Sequence, residues 1–157
     1  MPEKAGEGPP PADDAPTVRY RVPDETAVRR AARRVLRSGR PSYPSQASFR
    51  TAVERELRRD DPLAVLGGAR LRRLLIDAPG VRLSVRYTER DDDRPVEECP
   101  VCGGALQPVR NRTLTGGLVV LGQRCTRCDY WTHRARRVPV RYAFSRGGRG
   151  PRGRGPV

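Results

Sequence analysis

Four cysteines in two close pairs constrain this chain more than any other feature. Cys99-Pro100-Val101-Cys102 and Cys125-Thr126-Arg127-Cys128 are separated by 22 residues, and there is no other cysteine to form a disulfide framework. A CxxC turn presents two sulfurs from one tight loop. Two such loops close a tetrahedral thiolate shell, the arrangement of a structural Zn²⁺ site. Cys99, Cys102, Cys125 and Cys128 are therefore the expected ligands of one structural zinc. Gly103-Gly104 follows the first pair, where small residues let backbone N–H groups approach the sulfurs. Two redox-active pairs are the competing reading, but no βαβ pattern surrounds either pair.

The run Cys-Pro-Val-Cys-Gly-Gly, then a hairpin, then Cys-Thr-Arg-Cys-Asp-Tyr-Trp resembles the zinc ribbons of transcription and translation proteins. The resemblance spans about residues 98–144. It implies two zinc knuckles holding one end of a three-stranded antiparallel sheet. The strands are also readable directly. Residues 105–109 suit a short first strand and the apolar, β-branched residues 118–121 a second. Thr113 to Gly117 supplies the turn. Val138, Val140, Tyr142 and Phe144 alternate as an expected third ribbon strand, and Pro139 argues that it lies at an edge. The hairpin tip, residues 112–117, lacks the acidic pair with which transcript-cleavage ribbons hold a catalytic Mg²⁺. His133, the only histidine, has no glutamate two positions on, and four thiolates leave no open metal position, so deaminase chemistry is excluded. His133 is expected on the surface. Tyr130 and Trp131 are expected to cover the small ribbon core.

A net charge of +14 is the second strong feature, and it is unevenly distributed. Residues 17–88 carry 17 arginines against 7 acids, and residues 99–144 carry 8 against a single aspartate. Between them residues 89–98 hold six acids, and the leader 1–16 is acidic. Lys4 is the only lysine. A GC-rich coding bias favours arginine over lysine but creates no positive excess. The excess points to a polyanion, of which nucleic acid is the commonest. The proline-rich leader 1–16 is expected to be disordered. So is the Arg-Gly tail 145–157, whose Arg146, Arg149, Arg152 and Arg154 suit phosphate contacts without sequence choice. No apolar run could span a membrane and the first residues lack a signal-peptide stretch, so paired thiols in a reducing, cytoplasmic setting are expected.

Residues 17–88 read as a helical module. Val18, Tyr20 and Val22 alternate in a short lead-in strand. Asp24 caps a first helix with Val28, Ala31, Ala32, Val35 and Leu36 inward, Arg29, Arg30, Arg33, Arg34 and Arg37 outward, and a stop at Gly39. Ser45 caps a second, with Phe49, Ala52, Val53 and Leu57 inward and a stop at Asp60-Asp61-Pro62. A third helix is expected over Ala69–Asp77, with Leu71, Leu74, Leu75 and Ala78 inward. Val81, Leu83, Val85 and Tyr87 then alternate with Arg82, Ser84, Arg86 and Thr88 in a half-buried strand. Three short helices and a strand resemble the layout of a winged helix-turn-helix. The resemblance implies a third helix in the major groove, led by Gly67-Gly68-Ala69-Arg70-Leu71-Arg72-Arg73. Arg70, Arg72 and Arg73, with Arg82 and Arg86 on the strand, are the expected contacts, arginine reading guanine by a bidentate bond. The second wing strand is expected at residues 94–97.

The sequence thus predicts an α+β chain. A winged-helix-like domain (17–88) and an acidic linker (89–98) precede a Cys₄ zinc ribbon (99–144), and both ends are disordered. The expected function is non-enzymatic nucleic-acid binding, as a DNA-binding, transcription-associated factor of a prokaryote, archaeal in its simplicity, with no membrane or small-molecule partner. The alternatives are an RNA-binding, ribosome-associated protein and an adaptor docking on the transcription machinery.

Overall fold

The computed structural model describes residues 19–92 and 94–147. The predicted leader, Val18, Asp93, Arg149, Arg152 and Arg154 lie outside the described residues. The described residues are α+β, with three helices and two three-stranded antiparallel sheets.

The helices form where local chemistry predicts. In α1 (Glu25–Ser38) the Asp24 carboxylate accepts the Ala27 N–H at 2.8 Å, capping an orphan donor of the first turn. Val28, Ala31, Ala32 and Leu36 fall on one stripe and are buried. The helix ends at Gly39, where a Cβ would meet the Val35 carbonyl oxygen at 2.8 Å. In α2 (Gln46–Leu57) the Ser45 hydroxyl accepts the Ser48 N–H at 3.2 Å, and Phe49, Val53 and Leu57 are buried. Glu56 is buried beside them and bonded to Arg34 at 2.8 Å and Arg59 at 3.0 Å. The third helix, α3 (Gly68–Leu75), starts one residue earlier and ends two residues earlier than expected, and buries Leu71 and Leu75. The lead-in segment reduces to a single parallel bridge, Arg21 with Ala64.

The sheet beside these helices differs from expectation. Its members are β1 (Ser42–Tyr43), β2 (Val81–Arg90) and the C-terminal strand β6 (Arg136–Arg146), in the order β1-β6-β2. Residues 138–144 are therefore not the third strand of the ribbon. They form the central strand of the helical half. Leu83 stands opposite Phe144 and Val85 opposite Tyr142. Phe144 is fully buried and stacks on Phe49 with ring centroids 4.6 Å apart. The reason is apolar demand. Three helices present inward stripes to a face that β2 alone could not cover, and Phe144 and Tyr142 supply the missing surface. Pro139 still obeys the edge rule. The short β1 pairs β6 only at Phe144 and Ser145, so at Pro139 the strand has a partner on one side, and a register shift lies beside it.

β6 also takes the place expected of residues 94–97, which form no strand. The acidic segment is not a free linker from its start, since β2 runs through Glu89 and Arg90. Asp92 then grips Arg136 by two bonds of 2.6 and 2.7 Å. These bonds hold the Asp92 carboxyl below its ordinary range. The clamp is therefore expected to persist at any pH above the usual carboxylate value and to open only as pH falls through the lowered one. An NMR titration of Asp92 that followed the free-carboxylate curve would refute this.

The second sheet follows the order β3-β4-β5, with β3 (Leu106–Arg112), β4 (Leu118–Cys125) and β5 (Trp131–Thr132). It is thus inserted between β2 and β6. Each sheet has its own buried cluster, but Leu83 and Tyr142 pack against both. Among the described residues no helix is long and apolar enough to cross a membrane.

Candidate metal centre and charged surface

The four cysteines converge. Their sulfurs all lie within 4.8 Å of one another, with Cys99 to Cys128 and Cys102 to Cys125 each at 3.5 Å. Disulfides need about 2.05 Å, so these thiols are free. A tetrahedron with metal–sulfur bonds of about 2.3 Å has edges of about 3.8 Å. The donor set and spacing therefore fit a metal ion and are consistent with structural zinc. Cys99, Cys102 and Cys125 are buried, and Cys128 is half-buried.

Local backbone chemistry builds the two knuckles. The Gly103 N–H donates to the Cys99 carbonyl at 2.8 Å and Gly103 takes φ +70°, a turn that a side chain would strain. At Gly104 a Cβ would stand 3.2 Å from the Cys102 sulfur. In the second knuckle the Cys125 N–H donates to the Tyr130 carbonyl at 2.8 Å, and the Arg127 N–H donates to the Cys125 sulfur at 3.3 Å. A proton shared from Cys128, helped by backbone N–H groups, lowers the Cys99 thiol to about 5. Burial pushes Cys102 up to about 12, and giving its hydrogen to Cys99 pushes Cys128 up. Sulfurs this close do not all ionise unless a cation balances them.

The knuckles rest on the helical half. The Arg72 guanidinium donates to the Val101 carbonyl at 3.2 Å and the Gln46 side chain at 2.6 Å, and lies 4.2 Å over the Tyr142 ring. Arg127 reaches the Arg73 carbonyl at 3.0 Å and Asp77 at 3.5 Å. Tyr130 is fully buried and donates its hydroxyl to the Arg137 carbonyl at 2.8 Å, so it packs as expected. Trp131 is half-buried, with the Arg137 guanidinium 4.4 Å over its ring. His133 is exposed and outside the cysteine cluster.

The arginines expected on the third helix divide. Arg70 turns inward and donates to the Pro23 carbonyl at 2.6 Å, while its Nε is buried without a partner. Arg72 is the strut described above. Neither is an outward base-reading group. Only Arg73 is exposed. On α1, Arg29 pairs with Glu25 at 2.6 Å and Arg34 with Glu56.

Arg82 and Arg86 are exposed on the sheet face turned away from the helices, and Arg146 is exposed at the end of β6. Sequence reasoning missed their neighbour Arg141, which stands directly opposite Arg86. Its outward alternation was legible, but its sheet was not. Among the described residues the ion pairs involve Arg21, Arg29, Arg34, Arg59, Arg127 and Arg136, and none of these sheet-face arginines. Comparison with known proteins leaves this geometry as the guide to function: no family model, no curated protein and no solved structure matches the chain.

Proposed function

We propose that this chain is a zinc-stabilised, non-enzymatic nucleic-acid-binding protein that prefers DNA. The carrying observation is the Arg86–Arg141 cross-strand pair. Like charges directly opposite each other destabilise a sheet, and among the described residues no carboxylate pairs with them. A phosphate backbone laid along the outer face would neutralise this pair together with Arg82. The net charge of +14 supports the same partner. The helix order and the β2–β6 hairpin support a winged-helix-like reading, in which the Cys₄ ribbon is inserted between the two wing strands. The internal roles of Arg70 and Arg72 move the expected contact away from α3 and onto the wing.

The test is anisotropy of labelled duplex DNA and hairpin RNA over a salt series. Binding should weaken steeply with salt. The combined variant Arg82→Ala, Arg86→Ala, Arg141→Ala should flatten the log–log slope by roughly 2 to 3, from about 0.9 per phosphate contact. A slope unchanged in this variant would remove the sheet face from the interface. Tighter binding of the RNA hairpin at equal salt would replace DNA with RNA as the target.

A further inference from the structure

The β3–β4 hairpin leaves an unusual amount of aliphatic surface uncovered. Leu114 at the tip is fully exposed, Leu118 is 72% exposed, and Val109, Val119, Val120 and Leu121 are exposed as well. β3 pairs only with β4, and β5 covers β4 only at Gln123 and Arg124. Both faces are involved. Leu118 and Val120 stand opposite Arg112 and Arg110, whereas Val119 stands opposite Asn111 on the other side. The tip is well fastened. Thr113 N–H donates to the Gly117 carbonyl at 2.8 Å, Gly117 N–H returns to the Thr113 hydroxyl at 2.9 Å, and Gly116 takes φ +86°. The base is anchored in the cysteine cluster. The hairpin is thus a stiff finger with exposed aliphatic side chains on both faces.

An isolated chain gains nothing by holding such a finger in water, and contiguous exposed apolar patches of this kind mark interaction sites. A finger with aliphatic side chains on both faces is covered by a cleft and not by a flat surface. Its charge selects the occupant. Residues 106–124 hold Arg110, Arg112 and Arg124 and no acid. A second copy would bring like charges together. Nucleic acid would satisfy the arginines but leave the leucines and valines without apolar partners. We propose that the β3–β4 hairpin inserts into an apolar cleft, rimmed by carboxylates, on a partner protein. This site is separate from the basic sheet face and does not depend on the nucleic-acid reading.

The experiment replaces Leu118 by the photocrosslinking residue benzoylphenylalanine in the full chain, within the organism that makes it. Adducts are treated with nuclease and identified by mass spectrometry. The captured protein is then purified and titrated by calorimetry with the unmodified chain and two variants. The expected adduct is nuclease-resistant, with one protein bearing an acidic-rimmed cleft. Leu118→Ser with Val120→Ser should weaken that complex at least about tenfold, as truncating interface anchors does. Arg110→Glu with Arg112→Glu should weaken it too, and raised salt should weaken the unmodified complex. Both variants change exposed side chains, and unchanged metal content and circular dichroism would confirm that they fold. A nuclease-sensitive adduct, an adduct to a second copy or to the chain's own leader, no adduct, or a purified complex indifferent to the aliphatic variant would each overturn the proposal.

Discussion

A chain ending at Ala135 is expected to lose the fold of its helical half, although each of the described helices ends at least 60 residues upstream. The deletion removes β6, the central strand of the first sheet, and leaves β1 and β2 with no ladder partner. It also removes Phe144, which is fully buried against Phe49, and Tyr142, which packs on both cores. Truncating one buried phenylalanine costs about 3–5 kcal/mol, against a total stability of about 5–15 kcal/mol for a domain. Phe144→Ala alone should therefore lower the urea midpoint sharply, and the deletion should abolish the cooperative transition. Truncation after Gly147 should leave it intact. A fragment of residues 19–90 that unfolds cooperatively with native helical content would show that β6 is dispensable.

Removal of the metal is expected to have the second largest effect, and to reach beyond the cysteines. In freshly purified, reduced protein one metal ion per chain should be found. Chelation, or Cys102→Ser, should open the knuckles and the cluster around Val101 and Tyr130, because a shell this small draws its folding energy from the ion. The struts Arg72–Val101 and Arg127–Asp77 would be lost with it, and Leu83 and Tyr142 would each lose one of their two packed surfaces. The helical transition should therefore also move to lower temperature. Ligand sulfurs must be deprotonated, so the metal should be released as pH falls, and the Tm difference between loaded and stripped protein should shrink toward acid. Protein purified without any metal would sink the centre itself. An unchanged helical Tm after chelation would instead show that the two clusters are energetically separate.

The sequence by itself determined what depends on neighbours in the chain. Asp24 and Ser45 start helices because each side chain reaches an N–H three residues on. The CxxC pairs form knuckles because two residues between cysteines fit one turn. Thr113 to Gly117 turns because glycine takes positive φ. Alternation also assigned the two faces of β2, and of β6 at Tyr142 and Phe144, whereas Val140, expected on their face, is exposed beside the register shift. The tertiary structure decided what depends on partners distant in sequence. Period two says which residues of a strand share a face, not which sheet receives it, so residues 138–144, expected as a ribbon strand, could supply the wing strand that β2 lacked without any change in their pattern. Helical period likewise set Arg70 and Arg72 off the Leu71–Leu75 stripe. Only packing revealed that Pro23, Gln46 and Val101 stand beside them, because a long arginine at the edge of an apolar face is drawn to whichever carbonyls the fold leaves within its reach.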